Sequence, residues 1–189
     1  MKIYILLGHT DAATLSGAFA DTYETHARAA GHEVRRQNIG EMRFDPILHE
    51  GYKSIQQLEP DLETFRENVR WAEHIVIVYP VWWSSMPAML KGLFDRAWLP
   101  HFAFNFADHG LTWTKLLGGR TARIITSANT VPWLLRFMYG PPTVALELCL
   151  LRFAGISARS TVFGPSERAS ERTRARWFCK VERLARKGK

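Results

Sequence analysis

The segment from Glu73 to Trp98 restricts most strongly how this chain can fold. It begins with an almost wholly apolar, β-branched run, His74 to Tyr79, which ends at Pro80. Such a run is typical of a strand buried on both faces of a parallel sheet. Further on, apolar residues recur with the spacing of one helical face, at Leu90, Leu93, Phe94, Ala97 and Trp98. The segment therefore predicts a buried strand followed by a helix.

The connection between this strand and this helix carries two adjacent tryptophans, Trp82 and Trp83. We expect Ser84 or Ser85 to cap the helix and Pro87 to lie in its first turn. Open α/β sheets bind their ligands at the carboxyl ends of the strands, which is where this connection lies. Two neighbouring side chains on a loop cannot both point inward, so at least one indole should offer a flat apolar face to something planar.

The strand, connection and helix resemble the flavin site of the NAD(P)H:quinone oxidoreductases, which are flavodoxin-like two-electron reductases. The shared turn prolines, aromatic ring and Lys-Gly pair keep their mutual spacing here as Pro80, Trp83, Pro87, Ala88, Leu90, Lys91 and Gly92. A looser similarity extends over about the whole chain. The resemblance implies a flavin-dependent NAD(P)H dehydrogenase (quinone) that transfers two electrons by hydride, with ping-pong kinetics, from NAD(P)H through FAD or FMN to quinones or similar flat acceptors.

The alternation of strands and helices predicts an α/β protein with a five-stranded parallel sheet and helices on both faces. The resemblance adds the flavodoxin-like strand order 2-1-3-4-5. The five predicted strands are Ile3 to Leu7, Glu33 to Gln37, His74 to Tyr79, Ala122 to Thr126 and Ser157 to Phe163. The second of them is polar, which indicates a position near a sheet edge. The chain of 189 residues, 47% of them hydrophobic, can bury a core, and we expect a single domain over residues 1–189.

The net charge of +7 could indicate a nucleic-acid partner. Much of the excess lies between Arg168 and Lys189, where the apolar residues form one helical face: Trp177, Phe178, Val181, Leu184 and Ala185. We interpret the segment as a docked helix with a solvated basic side, and expect no nucleic acid because no recognised binding module accompanies the charge. Without a signal-peptide core or an apolar run of membrane-span length, we expect a cytoplasmic protein with no membrane span.

The two cysteines, Cys149 and Cys179, have neither the spacing of a disulfide framework nor that of a metal site. We expect them to be reduced and interior, and we predict no metal site.

The loop after the first strand, HTDAATLS, is neither a Walker motif nor a dinucleotide fingerprint. Its hydroxyl groups and the free N–H groups at a helix start would attract a phosphate. In the family that the chain resembles, a similar loop beginning with His holds the flavin phosphate or pyrophosphate. The resemblance thus implies cofactor binding by His9, Thr14, Leu15 and Ser16; on the residues alone, a structural role for His9 is an equal alternative.

Two further loops complete the expected flavin site. The resemblance implies cofactor contacts from the loop after the third strand, at Pro80, Val81, Trp82, Trp83 and Ser84, and from the loop after the fourth strand, at Thr126, Ser127, Ala128 and Asn129. Relatives often have Thr-Thr-Gly-Gly in the fourth-strand loop, and this chain departs from that pattern at its last two positions. The side-chain amide of Asn129 would then act where relatives use backbone, as a catalytic donor to the flavin's polar edge.

An aromatic segment follows the central helix, from Leu99 to Gly110. Phe104 and Phe106 match aromatic positions that in relatives reach over the flavin of the neighbouring subunit and stack on substrate. We therefore expect these two rings and Trp83 to bind substrate in a homodimer with its active site at the interface. Structural packing of the segment is the alternative.

Relatives near the human quinone reductases place a Tyr and, six residues later, a His beside the flavin. With one deletion, that spacing fits Trp133 and Tyr139, and no His follows His109 in the chain. Trp133 is then a substrate-binding candidate. Tyr139 is the remaining catalytic donor, although a phenol with a pKa of about 10 would rarely ionise. The apolar run from Val144 to Ala154 is expected to form a helix at the dimer interface.

Several alternatives share this site. An azo- or nitro-compound reductase would use the same residues, and the resemblance also allows a non-catalytic, flavin-binding regulatory subunit of an ion-efflux system. An electron-carrying flavodoxin is disfavoured by the basic charge and the large aromatic segment. FMN is nearly as well supported as FAD, which the overall similarity slightly favours. The sequence does not distinguish NADH from NADPH as the donor.

Overall fold

Five parallel strands form the centre of the structure in the computed structural model, which describes residues 1–107 and 111–189. The strands in chain order are β1 (Lys2–Leu7), β2 (Glu33–Asn38), β3 (His74–Pro80), β4 (Phe104–Phe106), β5 (Trp113–Lys115), β6 (Thr121–Ser127) and β7 (Ser157–Phe163). The sheet has the order β2-β1-β3-β6-β7, and β4 and β5 form a separate antiparallel ribbon. Counting only the five parallel strands, this is the order 2-1-3-4-5, so the predicted flavodoxin-like fold class is confirmed.

Helices cover both faces of the sheet. They are α1 (Leu15–Ala29), α2 (Pro60–Trp71), α3 (Ala88–Ala97), α4 (Pro132–Tyr139), a π-helix (Ala145–Arg152) and α5 (Glu171–Arg186). One core cluster lies under α2, α3 and the π-helix, and the other lies under α1 and α5. Among the described residues, no helix combines the length and the hydrophobicity needed to cross a membrane.

The two central strands are buried as predicted. In β1, the side chains from Ile3 to Leu7 are completely inaccessible to solvent, and they alternate between the two core clusters. In β3, the residues from His74 to Tyr79 are also buried. The polar strand β2 lies at one edge of the sheet, as expected, and β7 lies at the other.

The carboxyl-terminal helix docks as the sequence predicts. Val181 and Ala185 are completely buried in the cluster beside α1, and Trp177, Phe178 and Leu184 pack against that cluster. The prediction that the cysteines are interior is wrong, because both Cys149 and Cys179 are exposed.

The predicted cap of α3 is also wrong. The helix starts at Ala88 with Pro87 in the cap position, and none of the described side chains caps it. Ser84 and Ser85 belong instead to a tight turn, in which the backbones of Trp82 and Ser85 exchange two hydrogen bonds of 3.0 and 2.9 Å. The turn reverses the chain before the helix begins, so neither hydroxyl is placed to cap it.

A buried arginine on α3 holds the irregular segment 42–59 against the sheet. Arg96 is 1% exposed, and its guanidinium donates to the carbonyl oxygens of Asp45 and Gln57 and to both carboxylate oxygens of Glu59. Burial alone would raise the pKa of Glu59, but hydrogen bonds from the Asp45 amide and from Arg96 outweigh burial and hold this pKa below its usual value. The charged pair therefore stabilises the folded state.

The glycine of the Lys-Gly pair has a packing role in this arrangement. A Cβ atom on Gly92 would lie 2.5 Å from Cβ of Pro46 and 2.6 Å from its carbonyl oxygen. Only a residue without a side chain allows the segment to approach α3 so closely. Lys91, by contrast, points outward to an exposed ion pair with Asp95.

Replacing the buried arginine should destabilise the fold far more than replacing its exposed neighbour. We expect Arg96→Met to lower the free energy of unfolding by about 2–4 kcal/mol, because it leaves Glu59 and two carbonyl groups without their donor. Lys91→Met, which breaks a surface pair on the same helix, should cost about 0.5 kcal/mol or less. Urea denaturation of both variants measures the difference, and equal losses would contradict the role of Arg96.

The Arg96 variant should also change the acid sensitivity of the fold. Because the pKa of Glu59 is lowered in the folded state, its contribution is present above the ordinary value of 4.5 and is lost as the pH falls below it. Arg96→Met should therefore lose less further stability than the parent protein on acidification.

Candidate functional site

Three loops meet at the carboxyl edge of the parallel sheet. They are residues 8–14 after β1, which lead into the first turn of α1, residues 81–87 after β3 and residues 128–131 after β6. Backbone hydrogen bonds between the strands continue as far as this edge. Gly8 N–H donates to the carbonyl oxygen of Val78 at 2.7 Å, and Val81 N–H donates to the carbonyl oxygen of Ser127 at 2.8 Å. The structure therefore brings together the segments in which the sequence predicts the cofactor-binding residues.

The first loop is held by its own polar groups. Asp11 N–H donates to Nδ1 of His9 at 2.8 Å, so a neutral His9 ring carries its proton on Nε2. The Asp11 carboxylate in turn accepts from Ala13 N–H at 2.8 Å. The His9 ring lies edge-on to the indole of Trp82, with 5.4 Å between the ring centroids. His9 thus has a structural hydrogen bond at Nδ1 and, among the described residues, no hydrogen-bond partner for Nε2.

The start of α1 can hold an anion. Thr14 is the N-cap, and its hydroxyl accepts from Gly17 N–H at 3.3 Å. The N–H groups of Leu15 and Ser16 have no acceptor among the described residues, and the first turn contains no acidic side chain. Free amides and the positive end of the helix dipole together attract a phosphate or carboxylate group.

Gly17 is a site residue that sequence reasoning missed. A Cβ atom at this position would lie 1.8 Å from the carbonyl oxygen of Ala12, so the loop can fold over the first turn of α1 only because this residue is glycine. A glycine in the first turn of a helix, directly after a polar loop, is the signal that could have identified it.

The tryptophan turn presents an indole to solvent. Trp83 is completely exposed and Trp82 is 45% exposed. Trp83 and Ser84 have positive φ angles of 50° and 61°, a left-handed conformation that is unfavourable for residues other than glycine. The turn therefore holds an unprotected aromatic ring in a strained position, which is consistent with the expected flat apolar surface.

Buried hydroxyl groups without partners lie beside this turn. Within the described part of the chain, Oγ of Ser84, Oγ1 of Thr126 and the phenol oxygen of Tyr79 have no hydrogen-bond partner. Thr126 and Tyr79 are neighbours in the register between β6 and β3. Burial and the negative charge of Glu147 raise the pKa of Tyr79, so its phenol stays protonated. Buried hydroxyls are costly unless bonded, so a ligand with polar atoms here would stabilise the site.

Asn129 connects the third loop to the segment after β7. Its Oδ1 accepts hydrogen bonds from the Ser166 hydroxyl at 2.8 Å and from Glu167 N–H at 3.1 Å. Arg174, on α5, donates to the carbonyl oxygen of Ser166 at 3.1 Å. Because the amide oxygen of Asn129 is engaged by these donors, its amide N–H₂ group is the part that remains available to a ligand.

A groove of about 470 Å³ extends from the first loop along α1 and α5. Thr14 and Leu15 line one end of it, and Arg174 and Phe178 line the side formed by α5. No sequence pattern marks an arginine for this position. Arg174 lies far from the first loop in the chain, and only the docking of α5 on α1 brings it there.

Two predicted pairs of site residues, one on α4 and one on β4, make no described hydrogen bond or ring contact with the three loops. Trp133 and Tyr139, on α4, are 70% and 65% exposed, and no described hydrogen bond or ring contact connects them to the loops. The ring of Phe104 lies 5.0 Å from that of Phe153 and 5.1 Å from that of Phe106, which is 58% exposed.

The predicted aromatic segment contains β4, which pairs with β5 farther along the chain to form the antiparallel ribbon. Trp113 of β5 stacks on Phe153 with 4.5 Å between the ring centroids. The end of the predicted segment, Asp108 to Gly110, lies outside the described residues. Across residues 1–107 and 111–189, no group of three or more His, Cys, Asp or Glu side chains is arranged to hold a metal ion.

Comparisons with known proteins give a consistent family. A family model described as a flavodoxin-like fold matches residues 1–176. An uncharacterised NAD(P)H oxidoreductase of Escherichia coli (strain K12) is 25% identical over 127 residues, which are 62% of this chain and 65% of that protein. The human ribosyldihydronicotinamide dehydrogenase [quinone] is 39% identical over 106 residues, 54% of this chain and 46% of that protein. The chain thus spans less than two thirds of the length of these relatives.

A solved structure extends the similarity to the whole chain. The crystal structure of Smu.1420 from Streptococcus mutans UA159 superimposes with a TM-score of 0.84 and 27% sequence identity. The match covers 99% of this chain and 100% of the other.

The two phenylalanines of β4 should differ in their contribution to stability. Phe104 packs against the core, so Phe104→Ala should lower the free energy of unfolding by about 2–3 kcal/mol. Phe106 is more exposed, and Phe106→Ala should cost about 1 kcal/mol or less. Denaturant unfolding of the two variants tests this difference. A larger loss for Phe106→Ala would mean that its ring, and not that of Phe104, anchors the ribbon.

Proposed function

This chain belongs to the flavodoxin-like fold family, and from that premise we propose that it is a flavin-dependent oxidoreductase that transfers electrons from NAD(P)H to quinones or similar flat acceptors. One observation carries the proposal: an anion site, an exposed indole and unpartnered hydroxyl groups lie together at the carboxyl edge of the sheet. The names of the relatives, an NAD(P)H oxidoreductase and a quinone dehydrogenase, support the same reaction class.

The residues present fit the parts of a flavin nucleotide. The free N–H groups of Leu15 and Ser16, beside the hydroxyl of Thr14, would bind its phosphate. The indoles of Trp82 and Trp83 would lie against its ring, since both are at least partly exposed at this edge. The unpartnered Oγ1 of Thr126 and Oγ of Ser84 would bond to its polar atoms.

When bound, a flavin supplies the ability to accept and donate a hydride, and the protein contributes binding, orientation and charge stabilisation. Donors fixed in place stabilise negative charge as it develops in the transition state. The hydroxyl of Thr126 and the N–H₂ group of Asn129 are such donors, because the Asn129 oxygen is already bonded to Ser166 and Glu167. Trp83 would hold first the nicotinamide and then the acceptor against the open face of the ring, which requires ping-pong kinetics.

A homodimer would complete the site. Trp133 and Tyr139, like Phe104 and Phe106, have no described contact with the three loops of their own chain, and a second copy could bring them there. The exposed surface around α4 is strongly apolar, since it includes Trp133, Phe137, Met138, Tyr139 and Leu148. Large apolar patches of this kind usually mark interaction surfaces. Tyr139 would then be a further hydrogen-bond donor at the partner's site.

We also propose that the enzyme works in the cytoplasm, where NAD(P)H is available.

FAD is favoured over FMN by the groove beside the phosphate loop. This groove of about 470 Å³ begins at Thr14 and is lined by Arg174 and by Asp21, whose carboxylate is paired with Arg36 at 2.6 Å. A second phosphate and an adenosine could extend along it, whereas FMN would leave it empty.

The direct test is to purify the protein, record its visible spectrum and identify any released flavin. Flavin-loaded protein should oxidise NADH or NADPH, and the rate should rise when a quinone is added. An azo dye as acceptor tests the alternative reductase activity at the same site. A colourless protein that binds neither FAD nor FMN on reconstitution would overturn the proposal, and a tight flavin without NAD(P)H oxidation would favour a non-catalytic, flavin-binding subunit.

Removing the exposed indole should weaken flavin binding without weakening the fold. Trp83→Ala should raise the dissociation constant of the flavin about 3- to 10-fold, through loss of ring contact. Because Trp83 is fully exposed, the stability of the cofactor-free protein should change by about 0.5 kcal/mol or less. Tyr52→Ala, which removes an exposed ring far along the chain from the three loops, is the control and should leave flavin affinity unchanged. Fluorescence titration measures both constants, and an unaltered value for Trp83→Ala would remove its assigned contact.

A further inference from the structure

A second cavity, of about 440 Å³, lies at the amino edge of the sheet, opposite the three loops. His74 is the first residue of β3, and Arg123 and Arg159 are each the third residue of β6 and β7. These three side chains line the cavity together with Lys187 of the segment after α5. No Asp or Glu side chain is among the described residues that line it. The charged side chains that line the cavity, which include that of Lys189, are therefore all basic.

The two arginines are placed side by side without a counter-charge. Arg123 and Arg159 are direct partners in the register between β6 and β7. Within the described part of the chain, neither guanidinium makes a hydrogen bond or an ion pair, and Nε of Arg123 is buried without a partner. Burial and the charge of Arg159 lower the pKa of Arg123. Like charges directly opposite each other on neighbouring strands are destabilising. A bound anion would therefore stabilise this pair of arginines.

Two other groups act on Arg123 and do not neutralise it. The carboxylate of Glu147 attracts it from a distance, but Glu147 forms its own ion pair with Arg152 at 3.1 Å. The phenol of Tyr23 also interacts with Arg123, and burial raises the pKa of this phenol, so it is uncharged.

A buried histidine adds a neutral donor to the cavity. His74 is 2% exposed, and its Nδ1 lies 2.7 Å from Oγ1 of Thr121. Within the described part of the chain, its Nε2 is buried without a partner. Burial, Arg123 and His32 lower the pKa of His74 to about 4, so the ring is neutral at pH 7. The tautomer in which the Thr121 hydroxyl donates to Nδ1 places the ring proton on Nε2, as a donor that still lacks an acceptor.

We propose that this cavity is a binding site for an oxyanion, either a free phosphate or the phosphate group of a small ester, held by Arg123, Arg159 and Nε2 of His74. Paired guanidinium groups match the geometry of phosphate oxygens, and Lys187 adds positive charge to the cavity lining. The volume exceeds that of a single phosphate, so a phosphate monoester also fits. The site is separate from the proposed flavin site and does not depend on it.

Calorimetric titration with inorganic phosphate tests this site. Chloride keeps the ionic strength constant, and a second titration with added FAD identifies any phosphate that binds at the start of α1. We expect saturable binding with one phosphate per chain, accompanied by a shift of the His74 Nε2 resonance in ¹⁵N nuclear magnetic resonance spectra. A parallel titration with adenosine 5′-monophosphate distinguishes the sources: tighter binding than phosphate indicates an ester, and equal or weaker binding indicates the free ion.

Variants then connect the binding to the named residues. Arg123→Met should weaken phosphate binding about 10-fold or more, since it removes charge-assisted hydrogen bonds. Arg159→Met, at an exposed position where the fold does not depend on the side chain, should weaken it several-fold and serves if the first variant fails to fold. Arg43→Met is the matched control, because Arg43 is exposed and does not line the cavity. Absence of saturable binding, or equal affinity in all three variants, would overturn the proposal.

Discussion

The burial of β1 and β3 on both faces is the constraint on which the rest of this structure depends. Because the side chains from Ile3 to Leu7 are inaccessible from either side, helices must cover both faces of the sheet. The connections through these helices make the strands parallel, and parallel strands end at a common edge. The meeting of the three loops at the carboxyl edge therefore follows from the burial of the central strands, and not from any residue of the loops themselves.

Departures from the usual rules of a stable fold occur at the two edges of this sheet. At the carboxyl edge, Trp83 and Ser84 have left-handed backbones, and the buried hydroxyl of Thr126 has no partner among the described residues. At the amino edge, Arg123 lies beside a like charge, and Nε2 of His74 is likewise unpaired within residues 1–107 and 111–189. Natural proteins accept such costs mainly where a ligand or a function offsets them. The same reasoning thus supports the proposed flavin site and the proposed oxyanion site.

Sequence patterns that span a few residues predicted the local structure correctly. Features that depend on neighbours in space were not predicted from the sequence. Apolar runs located β1, β3 and β6, and the alternation of strands and helices was predicted correctly for all five parallel strands. The cap predicted at Ser84 or Ser85 was wrong because a tight turn with backbone hydrogen bonds uses these residues before α3 begins. The β4–β5 ribbon was missed because each strand has three residues, too few for a period to be recognised.

By itself, the sequence determined the α/β class, the strands and the candidate cofactor loops, because these depend on hydrophobic period, turn residues and helix starts within short stretches of chain. Only the tertiary structure placed Arg174 beside Thr14, bound Arg96 to Glu59, and set Arg123 next to Arg159 and His74. The physical reason is that these contacts arise when separate elements pack together. A charged residue on one strand or helix carries no local sign of which distant residue it will meet.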